Sequence, residues 1–164
     1  MLALPSFAQD AERSSPGKPD SPDPEPKNVS EMLVKMQIDQ EKKEYEEMID
    51  RSQQALKISE ELQRNYTVKN QFSRDDLDKL TDLEKLTKKI RSELGAEGHD
   101  DGSEEDSEVD PVPNNTVDAV KALGTIASKL ADELKKTSRF GISVAAIQSS
   151  NSLLRVVRFL KSSR

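Results

Sequence analysis

Cysteine is absent from this chain. Its absence excludes disulfides, thiolate nucleophiles and sulfur-based zinc sites, but leaves the compartment open, since exported bacterial proteins often do without it. Histidine occurs once, as His99, among Asp100, Asp101 and glycines. A Ser-His-Asp site would depend on that one ring, and nothing in so polar a loop would hold it against a nucleophile. Aromatic residues make up 4 % of the chain and glycines number six, both of which favour helix over sheet. Long apolar runs are missing too. The uncharged stretch 141–154 falls short of the roughly 20 residues of a membrane span and includes Gln148 and Asn151. Also lacking are a P-loop and the G-x-G-x-x-G, H-E-x-x-H and G-x-S-x-G patterns. Paired carboxylates are plentiful, but acid–base work needs one of them desolvated, and no aromatic wall is indicated. The expectation is a protein that is not an enzyme and has neither cofactor, metal site nor small-molecule substrate.

What is present is charge. Charged residues account for 34 % of the chain and hydrophobic ones for 33 %, below the roughly 45–50 % of ordinary globular domains. So little apolar material cannot bury a thick core along the whole length, so part of the chain should be solvated. Two segments fit that role. Residues 1–27 form a Pro-rich tail whose stretch from Asp10 to Lys27 holds five prolines and no large apolar side chain. Residues 96–114 form an acidic linker, with eight carboxylates and no Lys or Arg between Glu97 and Asp110, and both segments are expected to be disordered. The acidic run does not match the ligand spacing of an EF-hand loop. At the very start, Ser6-Phe7-Ala8 before Gln9 looks like the end of a secretory signal peptide without its basic and apolar regions, which favours an exported or periplasmic location slightly over a cytoplasmic one.

Between these segments the apolar residues recur at helical spacing. From Asn28, read as an N-cap with Glu31 closing a capping box, Val34, Ile38, Tyr45, Met48, Ala55, Leu62 and Tyr66 trace a coiled-coil-like stripe. Polar Glu41, Ser52 and Ser59 dilute it, which suggests an incompletely packed helix. A break at Tyr66–Phe72 precedes Ser73, a second N-cap, after which Leu77, Leu80, Leu83, Leu86, Ile90 and Leu94 share one side up to a stop at Gly95. Asn115 or Thr116 caps a third helix on Val120, Leu123, Ala127, Leu130 and Leu134. Gly141 interrupts the pattern, which resumes through Ile142, Ala146, Leu153, Val156 and Leu160. Residues 142–147 also suit a short strand, with helix favoured because no partner strand is evident.

The resulting expectation is an all-α fold: a long antiparallel hairpin over 28–95, with helices 28–66 and 73–95, and a C-terminal helical segment over 115–164 with a basic tail. Leu77, Leu80, Leu83, Ile90, Leu123, Leu130 and Leu134 are the expected helix–helix interface. Three N-x-[ST] sequons, at Asn28, Asn65 and Asn114, are read as capping residues. From Lys135 onward there are seven Lys or Arg and no acid. Arg139, Arg155, Arg158, Lys161 and Arg164 are therefore candidates for contact with an anionic surface, unless this helix packs inward. Nucleic acid is not expected, because only Phe140 and Phe159 could stack there. The functional expectation is a helical partner-binding or scaffold protein, with self-association or a protein partner. The alternative is a peripheral membrane-surface protein attached through residues 139–164.

Overall fold

The computed structural model describes residues 27–96, 113–138, 141 and 143–163. The Pro-rich tail up to residue 26 and the linker from 97 to 112 lie outside them, as do the signal-peptide likeness, His99, Arg139, Phe140, Ile142 and Arg164. Among the described residues there are four helices: α1 (Lys27–Lys69), α2 (Arg74–Glu93), α3 (Thr116–Lys136) and α4 (Val144–Ser162). The fold is all-α, and no strand occurs among the described residues. The chain divides into two units, Met1–Lys35 and Met36–Arg164.

Helix boundaries follow local chemistry. Ser73 sits in extended backbone before α2, and its hydroxyl accepts the Asp76 amide while the Asp76 carboxylate accepts the Ser73 amide at 2.9 Å, closing a capping box. Gly95, at φ +79°, provides the left-handed residue that ends α2, donating to Ser92 as Ala96 donates to Arg91. Asn70 does the same for α1 at φ +52° and returns its amide to the Tyr66 carbonyl. Asn115 caps α3 by accepting the Asp118 amide at 2.8 Å, and Ser143 caps α4 by accepting from Ala146 at 3.1 Å. The C-terminal segment holds two helices, α3 ending at Lys136 and α4 beginning at Val144, and the described part of 142–147 is helical from Val144. The expected cap at Asn28 is corrected: α1 already begins at Lys27, so Asn28 is a helical residue, as is Asn65.

In the larger unit the core draws on all four helices, with Ala55 and Leu62 from α1, Leu80, Leu83 and Ile90 from α2, Leu123, Leu130 and Leu134 from α3, and Leu153, Val157 and Leu160 from α4. Helix α4 packs against both α2 and α3. Burying each of these larger side chains stabilises the fold by about 1.5–3 kcal/mol before entropy is charged against it. Ser52 and Ser59, expected to mark loose packing, are instead fully buried. Their hydroxyls donate to the Ile49 and Ala55 carbonyls of their own helix, so the polarity is satisfied within α1 while the small side chains leave room for close neighbours. Gly124 of α3 lies so close to α1 that a Cβ there would stand 2.6 Å from Gln63 Oε1.

Polar links fix how α1 meets its neighbours. Asn65 donates to Asp76 at 2.7 Å, Lys79 to Glu61 at 2.7 Å, and Arg51 to Glu93 at 2.6 Å. Progressively earlier residues of α1 thus meet progressively later residues of α2. The Lys79 hydrogen bond, helped by its charge, holds the Glu61 carboxyl below its ordinary range, and the same contact raises Lys79. Toward α3, the single Tyr45 hydroxyl proton faces two carbonyls, Thr137 at 2.7 Å and Leu134 at 3.1 Å.

Candidate functional site

Three places on the described surface could do more than hold the fold. The first is an open groove of about 440 Å³ lined by Glu41, Glu44, Tyr45, Glu47, Met48, Arg51, Lys89 and Glu93. Its chemistry is internally satisfied: Arg51 donates to Glu47 at 2.7 Å and to Glu93, and Glu41 and Glu44 each accept a side-chain amide one turn away. A smaller recess of about 320 Å³ shares Tyr45 and adds Glu46, Ile49, Asp50 and Lys135. Neither lining includes a nucleophile beside a base, and among the described residues no three His, Cys, Asp or Glu gather as a metal would require.

The second place is the basic C-terminal helix. Apolar Leu153, Leu154, Val156, Val157 and Leu160 are buried, so α4 spends its apolar face inside the molecule. Of the five cations expected to meet an anionic surface, Arg139 and Arg164 lie outside the described residues. Lys161 donates to Glu84 of α2 at 2.6 Å, Arg158 lies 3.9 Å from the same carboxylate, and Lys88 adds a third cation at 3.2 Å. The hydrogen bond from Lys161 outweighs partial burial and, with Lys88, keeps Glu84 below the ordinary carboxylate range. Arg155 is half-buried. No helix of the described residues is long and apolar enough to cross a membrane.

The third place is the beginning of α1, outside the expected helix–helix interface. Of the seven expected interface residues, Leu80, Leu83, Ile90, Leu123, Leu130 and Leu134 are fully buried, and Leu77 is partly buried against them. They pack the helices of this chain against one another. Among the described residues, exposed apolar side chains gather at the start of α1, while Val68, Val117 and Val144 are exposed singly elsewhere. In the smaller unit every described side chain from Asn28 to Lys35 is exposed, including Val29, Met32 at 63 %, Leu33 at 55 % and Val34. In the larger unit Met36 and Ile38 are exposed as well. At about 100° per residue, Val29, Met32 and Leu33 share one side of the helix, well away from Val34. In the sequence Met32 and Leu33 read as widening the stripe that Val34 and Ile38 begin, and nothing there marks them as exposed.

No protein-family model, curated protein or solved structure matches this chain.

Proposed function

We propose that this is a non-enzymatic helical protein whose work is to bind a protein partner or a second copy of itself, with the beginning of α1 as the contact surface. One observation carries the reading. Singly exposed apolar residues such as Val68, Val117 and Val144 are ordinary, but Val29, Met32 and Leu33 lie exposed on one side of α1 within five positions. An exposed apolar side of this kind gains when a complementary apolar surface covers it. The reading also takes α1 and α2 as an antiparallel hairpin that forms the scaffold, supported by the order of the Asn65–Asp76, Glu61–Lys79 and Arg51–Glu93 links.

The test compares the full chain with a double variant, Met32→Glu with Leu33→Glu, in sedimentation equilibrium over a wide concentration range and in affinity capture from the source organism. The variant should keep the parent's melting temperature, because neither side chain belongs to the core, and should lose at least tenfold in association. A parent that stays monomeric and captures nothing, or a variant that associates as the parent does, would overturn the proposal. Attachment to an anionic surface through residues 139–164 has less to draw on, since the apolar face of α4 is covered and Lys161 and Arg158 turn to Glu84.

A further inference from the structure

We draw no further inference here: the strongest candidate, the exposed apolar side of α1 at Val29, Met32 and Leu33, carries nothing beyond the function proposed above, because nothing in the structure shows what covers it.

Discussion

Asp76 does more than any other single polar residue in the described structure. Its carboxylate is fully buried and accepts from the Ser73 hydroxyl at 2.6 Å, the Ser73 amide at 2.9 Å and the Asn65 side chain at 2.7 Å. Burial alone would raise its pKa, but the hydrogen bonds from Ser73 and Asn65 together win, and the group titrates below its ordinary value. The sign of the linkage follows. A carboxyl depressed in the folded state contributes stability above its unfolded pKa, near 3.9, and that contribution is lost as pH falls through the folded value. Asp76→Asn keeps the shape but turns an amide donor toward donors, so it should cost about 1–3 kcal/mol at neutral pH. It should also flatten the acid limb of a stability–pH curve, and urea melts of both proteins from pH 7 to pH 2.5 would show whether the limb changes. Gly124 predicts the opposite direction. The only atoms crowding a Cβ there belong to the end of the flexible Gln63 side chain, and glycine inside a helix is unfavourable by about 0.5–1 kcal/mol relative to alanine. Gly124→Ala should therefore raise the melting temperature slightly, and a drop of several degrees would mean that Gln63 cannot move aside.

At the scale of elements, legibility depended on whether the cause was local. The bounds of α2 and its capping by Ser73 and Gly95 follow from residues within one turn of each end, and these were readable. So was the cap of α3 at Asn115. The start of α1 was misread because Asn28 is a good cap in isolation, yet the helix takes in Lys27 before it. The role of Ser52 and Ser59 was misread for a different reason: a polar residue on a stripe looks like a defect until the neighbouring backbone that accepts its hydroxyl is known. Non-local links were invisible in principle, and two of them make predictions. Tyr45→Phe removes the one donor facing the Leu134 and Thr137 carbonyls where α3 ends, and should cost about 1 kcal/mol in chemical denaturation with no change in helicity. Glu84→Gln leaves Lys88, Arg158 and Lys161 gathered without their shared negative charge. The loss should be modest, about 1–2 kcal/mol for so partly exposed a group, and should shrink as salt rises and screens the remaining repulsion. Equal losses at 0.05 M and 1 M salt would show that Glu84 acts by packing alone.

For the molecule as a whole, the decisive question is what the C-terminal helix is for, because its sequence favours a core element yet also admits a membrane-seeking amphipath. Spacing and charge could not separate the two, since both uses need apolar residues on one side and cations on the other. In the structure its apolar side is buried. Leu153, Leu154, Val156, Val157 and Leu160 lie inside, with Ala146, Ser149, Ser150 and Ser152 allowing close approach. Removing everything after Thr137 would therefore strip five large apolar side chains from the core, each contributing about 1.5–3 kcal/mol of burial, and leave their partners on α2 and α3 exposed. That sum is comparable to the roughly 5–15 kcal/mol by which whole domains are stable. The truncated chain should lose its cooperative thermal transition in circular dichroism and bind a hydrophobic dye, whereas the full chain should melt in one step. A truncated protein that still melted cooperatively within a few degrees of the parent would mean that α4 is an appendage, and attachment to an anionic surface would regain its footing. The same comparison shows why truncation cannot test lipid binding, since an unfolded chain adsorbs for unrelated reasons. Arg158→Glu with Lys161→Glu is the cleaner probe: if α4 serves only the core, vesicle co-sedimentation with anionic lipid should be as low for the parent as for the variant, while the melting temperature falls because two acids now face Glu84.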